Sequence, residues 1–179
     1  MAEIAWYLRS LPYTKGCTTE AWQFITNVEI LKKAGVFDVE KMRTIQLMHA
    51  EFNMNNKKLG RDMMKFAEYC KQLAPEQFGS RKNHQAITAA LNKRLTMNLL
   101  RQLRQAGALC SNDAKSCYDR MAHVPTSLSM QRLRVPKGPV ASLFGVLQRS
   151  IHRIRTAYGD SEVQFTSTPD DPIQGIGQG

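Results

Sequence analysis

An α+β fold, rich in helix, is what the sequence predicts, and three observations carry the prediction. Apolar residues recur at spacings of three and four over two long stretches in the middle of the chain and one nearer its end. Short runs with strand character, bounded by turn residues, lie on both sides of them. Of the 179 residues, 42% are hydrophobic, enough to bury a core and to exclude wholesale disorder.

Taken along the chain, 36–39 and 43–47 predict a short strand pair. Leu59, Met63, Phe66, Ala67 and Cys70 lie on one face of a helix over 57–73, stopped before Pro75. Ile87, Ala90, Leu91, Leu95, Leu99 and Leu103 mark a second helix that should end near Ala106 and Gly107, with the glycine as its C-cap. Residues 108–112 then suit a buried strand with Asp113 at its carboxyl end. Pro139, at a helix N1 position, opens a third amphipathic helix carrying Val140, Leu143, Phe144, Leu147, Ile151 and Ile154. Finally, 154–158 and 163–166 flank Gly159-Asp160-Ser161, a hairpin turn. Met42, Met48, Met54, Met63 and Met64 sit among these apolar positions and are expected to fill the core.

Several classes are excluded. The longest nearly apolar stretch, 140–147, is far short of the roughly 20 residues a membrane-spanning helix needs, so no membrane partner is expected. Glu3 and Arg9 interrupt the early apolar segment, which argues against a signal peptide and for a nuclear or cytoplasmic rather than secreted protein. Cys17, Cys70, Cys110 and Cys117 are too sparse for a disulfide scaffold, and His49, His84, His123 and His152 show no zinc-ligand spacing.

Charge points to a polyanion. The chain carries 25 Lys and Arg against 15 Asp and Glu, a net +10. Between Lys57 and Arg104 there are eleven cations against Asp62, Glu68 and Glu76, while the last twenty residues contain four acids and no Lys or Arg. Such a concentration suits a surface that faces phosphates.

The segment Ser111-Asn112-Asp113-Ala114-Lys115-Ser116-Cys117-Tyr118-Asp119 bears the chemistry. A carboxylate followed five residues later by an aromatic puts an oxygen ligand for Mg²⁺ and a flat wall around one small volume. This Asp-x-x-x-x-Tyr-Asp segment resembles the first palm motif of reverse transcriptases, especially those of the non-LTR retrotransposon type. Gln77-Phe78-Gly79-Ser80-Arg81 resembles the motif ahead of that family's long palm helix, and Arg43-Thr44-Ile45-Gln46-Leu47 its fingers motif. Phe52-Asn53 with Lys57-Lys58-Leu59 is similar to the next helix start, and Gly175-Ile176-Gly177-Gln178-Gly179 to the opening of the second palm motif.

The resemblance covers 31–179 and implies a partial right-hand polymerase, fingers plus incomplete palm. Residues 1–27 stay unassigned, 28–107 would be fingers-like with the start of the palm helices, and 108–179 a partial palm. Asp113 would be the catalytic ligand of two Mg²⁺ ions, with the Ala114 carbonyl as a further ligand. Tyr118 would lie under the sugar of an incoming deoxynucleoside triphosphate, Arg43 would reach its triphosphate, and Gln178 would contact nucleotide and template. Lys57, Lys58, Arg81 and Lys82 would meet the backbone of an RNA template and DNA primer. The implied reaction is template-directed DNA synthesis. The family's aromatic-x-Asp-Asp motif does not occur before Gly179, so the chain by itself is expected to be inactive. Plainer roles stand beside these: Tyr118 as a core aromatic, Arg43 as a surface strand residue, 175–179 as a tail. Alternative functions are a non-catalytic RNA-binding relic, an RNA-dependent RNA polymerase-like fragment, and a basic helical protein that docks another protein through its apolar faces.

Overall fold

The computed structural model describes residues 2–177. Among them the fold is α+β, with five α-helices and a mixed, open five-stranded sheet. In chain order the elements are α1 (Ala2–Lys15), β1 (Phe24–Leu31), β2 (Met42–Leu47), α2 (Ala50–Tyr69), α3 (Ala86–Gln102), α4 (His123–Arg132), α5 (Lys137–Gln148), β3 (Ile151–Thr156), β4 (Gly159–Asp160) and β5 (Phe165–Thr166). They divide into two compact units, 2–61 with 116–177, and 62–115.

In the first unit the core forms around Trp22, Phe52 and Val146, with Tyr13, Met48 and Leu143 packed on them. The rings of Trp22 and Phe52 lie 5.6 Å apart and tilted, which suits the quadrupoles of two aromatics. α1 is fastened to the start of α2 by the Asn55 side chain, which donates to the Arg9 carbonyl at 2.9 Å, and by the Tyr13 hydroxyl, which donates to Asn56. Burial pushes the Tyr13 phenol well above its ordinary range. α1 also meets α5 at close range, because Gly138 has no Cβ: one built there would overlap the Tyr13 carbonyl oxygen.

The sheet has strand order β2-β1-β3-β4, with β5 also on β3. β1 pairs antiparallel with β2 and parallel with β3. Alternation then sorts the side chains. One face carries Ile25, Asn27 and His152, all buried, and holds Gln46, Thr44 and Glu29. The other carries Phe24, Thr26, Val28, Ile30, Arg43, Ile45, Leu47, Ile151, Arg153 and Arg155, none of them buried.

Several elements differ from expectation. The strand expected at 43–47 is β2, but its partner is β1, and 36–38 are irregular. The third helix stops at Gln148; Ile151 and Ile154 belong to β3, where they satisfy their backbone against β1. Pro139 is the third residue of α5, whose first is Lys137. Thr156 pairs with Gly159, so the hairpin turns at Ala157 and Tyr158, two residues early, and Gly159 takes a φ of +126° that favours glycine. The expected division at residue 27 falls within β1.

The second unit contains the end of α2, α3 and their flanking segments. α2 runs seven residues earlier and ends four earlier than the expected 57–73. Neither α2 nor α3 ends on glycine. Lys71 and Arg104 adopt left-handed conformations, φ 53° and 52°, and the next amides close back on Ala67 and Leu100, both at 2.9 Å. Arg134 does the same after α4, with φ 60° and the Val135 amide on Met130 at 3.0 Å. Gly107 is therefore not the cap of α3. Residues 105–114 have no regular structure and are exposed, so 108–112 do not form a buried strand: Ala108, Leu109 and Cys110 are too short an apolar run to be held without a neighbouring strand. No residue of α3 is buried. Of the methionines expected in the core, Met48 packs on it and Met54 is exposed.

Candidate functional site

Three segments far apart in sequence meet in the first unit. A 3-10 turn at Tyr118–Arg120 leads into α4, and the strap after β5 returns to it. The Gly175 amide donates to the Met121 carbonyl at 3.0 Å and the Ile176 amide to the Tyr118 carbonyl at 3.1 Å. His123, buried against Phe144, donates from Nε2 to the Gly175 carbonyl at 2.6 Å. Gly175 has φ +95°, and a Cβ there would come within 2.8 Å of the Tyr118 carbonyl oxygen. Gly177 has φ +77°, and a Cβ on it would lie 2.6 Å from Gln46 Oε1 and 2.5 Å from the Met48 methyl. Glycine is thus required twice, once for each partner of the strap. Beside it a cavity of about 470 Å³ is lined by His123, Gln148, Ser167, Thr168 and Ile173 among others, with no charged side chain.

The other expected residues are placed differently. Arg43 is exposed on β2 and projects to the sheet face opposite Gln46, so it does not share the Gly177 side. Tyr118 is half exposed, not a core aromatic. Lys57 and Lys58 are exposed on α2, and Lys82 is exposed after it. Arg81 is occupied: Nε and Nη2 donate to the two Glu68 oxygens at 2.7 and 2.8 Å, and Nη1 donates to the Ala74 and Gln77 carbonyls at 2.8 and 3.2 Å. This bidentate bond, together with the guanidinium charge, holds the Glu68 carboxyl below its usual range. A phosphate would have to displace a fork that already closes the loop after α2. Gln178 lies outside the described residues.

Asp113 and Ala114 lie in the exposed irregular segment of the second unit. Among the described residues no three His, Cys, Asp or Glu side chains converge on a volume that could hold a metal ion. Two Mg²⁺ ions need several oxygen ligands in near-octahedral order, and one exposed carboxylate does not supply them. The residues present do not fit the ions, and no catalytic step is assigned to them. No helix among the described residues is long and apolar enough to cross a membrane.

One constellation escaped the sequence reading. His152 (3% exposed) stacks on Phe165 at 5.0 Å, with Nε2 2.7 Å from Ser150 Oγ and Nδ1 3.2 Å from Asn27 Nδ2. Ser150 Oγ also lies 2.9 Å from the Leu147 carbonyl; with its proton given there, Nε2 carries the imidazole proton and Nδ1 accepts from Asn27. The Ser-His-Asn identities suggest a nucleophile, but Ser150 is 1% exposed and His152 3%, so the hydroxyl is sealed from any substrate. The group is a structural network that joins α5, β3 and β1.

Burial lowers the His152 pKa from 6.5. Between the lowered value and 6.5 the unfolded chain binds a proton that the folded chain does not. This stabilisation is therefore complete above pH 6.5 and is lost as pH falls from there through the folded pKa. Urea midpoints measured from pH 7 to 5 should fall, and His152→Gln should flatten the fall. An equal fall in both proteins would show that His152 is not the responsible group.

Compared with known proteins, the chain matches no family model and no curated protein.

Proposed function

We propose that the chain is a reverse-transcriptase-like domain that binds an RNA template and DNA primer. The observation that carries this is the convergence at 175–177. Tyr118, the Gln46 strand end and the glycine strap belong to three segments that resemble the first palm, fingers and second palm motifs in order, and they are neighbours in the first unit. A strap whose Ile176 amide donates to the carbonyl of the half-exposed Tyr118 suits a nucleotide-contacting floor, with Tyr118 against the sugar of a deoxynucleotide. The cations of 57–104 supply the sequence-independent attraction to phosphates.

A second reading, non-catalytic RNA binding, is favoured by a specific observation: Asp113 lies in an exposed irregular segment, and among the described residues no three His, Cys, Asp or Glu side chains converge to hold a metal ion. Both readings need binding, and fluorescence anisotropy of a labelled RNA–DNA primer-template over a salt series tests it. Affinity should fall steeply with salt, and Lys57→Ala with Lys82→Ala should make the slope shallower by about 1.4–1.8, near 0.7 per phosphate on a single strand and 0.9 on a duplex. A flat salt dependence sinks both readings. Primer extension by this chain that Asp113→Ala abolishes would establish catalysis and exclude the second reading.

A further inference from the structure

We infer that the uncovered face of the sheet is a docking surface for single-stranded RNA, an assignment that rests on the nucleic-acid reading above. The pairing register sets its side chains in rows across the strands. Phe24 stands beside Ile151, and Thr26 stands between Leu47 and Arg153. Val28 stands between Ile45 and Arg155, and Ile30 beside Arg43. None of these residues is buried, whereas the opposite face holds the buried Ile25, Asn27 and His152.

Charge selects the occupant. The face carries three guanidiniums, Arg43, Arg153 and Arg155, against one carboxylate, Asp160. Asp160 takes Arg155 in a two-bond fork, 2.5 and 2.8 Å, but stands 3.9 Å from Arg153. That fork fixes one guanidinium in place while the face stays cationic. Glu29, the acid of β1, is turned to the other side, where it accepts from Thr44 at 2.8 Å. Arg43 and Arg155 lie two strands apart and two residues out of step, about 12 Å from strand spacing and rise. Between and beside them are apolar side chains and the exposed Phe24 ring. Guanidiniums suit phosphates, and an exposed aromatic among aliphatics suits unpaired bases, which stack without sequence preference. A duplex hides its base faces and would leave Phe24 and the aliphatic rows unused.

The test is anisotropy of a labelled twelve-nucleotide oligouridine with the full chain. Arg153→Ala with Arg155→Ala, Phe24→Ala, and Thr26→Glu, which adds a carboxylate to the Arg153 row while removing no cation, should each weaken binding by roughly tenfold. Lys15→Ala with Arg132→Ala removes the same charge elsewhere and should change it by less than about threefold. Equal losses from the two charge pairs would reduce the effect to net charge and overturn the sheet-face assignment, leaving the nucleic-acid reading intact. Binding untouched by the sheet variants, with Thr26→Glu dissociating a dimer in sedimentation, would give the face to a second copy and overturn it too. No binding by the unaltered chain at low salt would remove both.

Discussion

Replacing Phe52 by alanine is expected to lower the unfolding free energy by about 3–5 kcal/mol, the usual cost of emptying a buried aromatic site. Phe52 is fully buried, and it and its neighbours Trp22 and Val146 come from three different elements. The cavity cannot close by one side chain relaxing, because the Trp22 turn, α2 and α5 would all have to move. Set against a total of about 5–15 kcal/mol for a typical domain, this is a large share. The molecule has its own reporter: Trp22 lies 5.6 Å from Phe52, whereas Trp6, the other tryptophan, is 65% exposed. Urea unfolding followed by Trp22 emission should move to a lower midpoint with a blue-shifted native signal retained. A loss below about 1 kcal/mol would mean that the three-residue cluster is not the centre of the fold.

Gly138→Ala should cost about 1–3 kcal/mol or more, although alanine is the better helix former. The added methyl would overlap the Tyr13 carbonyl oxygen, which is backbone and cannot swing aside as a side chain would. α1 would have to retreat, and the Tyr13 hydroxyl bond to Asn56 would stretch with it. Gly60→Ala is the internal contrast. Gly60 also lies within a helix, α2, but a Cβ there meets nothing within 4 Å. It should stabilise by about 0.5–1 kcal/mol. Thermal melts of the two variants should move in opposite directions; both rising would mean that α1 does not press on α5 as described.

How much of this fold was legible depended on where each element finds its partners. The second half of α2 and nearly all of α3 were readable because their apolar residues keep helical spacing, whether or not that face is covered. β1 was not, because its pattern is inverted: polar Asn27 is buried in a bond to His152, while Phe24 and Ile30 stand exposed. α1 lacks a consistent apolar stripe and contains Pro12, which ordinarily argues against a helix interior. Ile151 and Ile154 continued the α5 spacing by coincidence. Ser150 ends it by bonding the Leu147 carbonyl, and the next residues join a strand distant in sequence.

Within the candidate site the residue types and their order were readable, and their geometry was only partly so. Nothing local announces that the Gly175 and Ile176 amides close on Met121 and Tyr118, since such bonds depend on the path of the strap. Arg81 shows the opposite error. A cation in a basic stretch was expected to face phosphate, yet a glutamate thirteen residues earlier, one of three acids in that stretch, occupies it. Charge counted along a sequence overstates the cations available to a ligand wherever a nearby acid is folded onto one of them.

The left-handed Lys71, Arg104 and Arg134 give the molecule adjustable set-points. Each bears the steric cost of a Cβ at a site suited to glycine, and each also places a cation beside the carbonyl end of its helix, where the dipole favours it. Two of these positions, Lys71 and Arg104, lie in the 62–115 unit and count among the cations of 57–104, one lies in the other unit, and none belongs to the core. Replacing any one of them by glycine would trade charge for backbone ease at a single helix end, so each is a place where stability can be adjusted without touching a buried side chain.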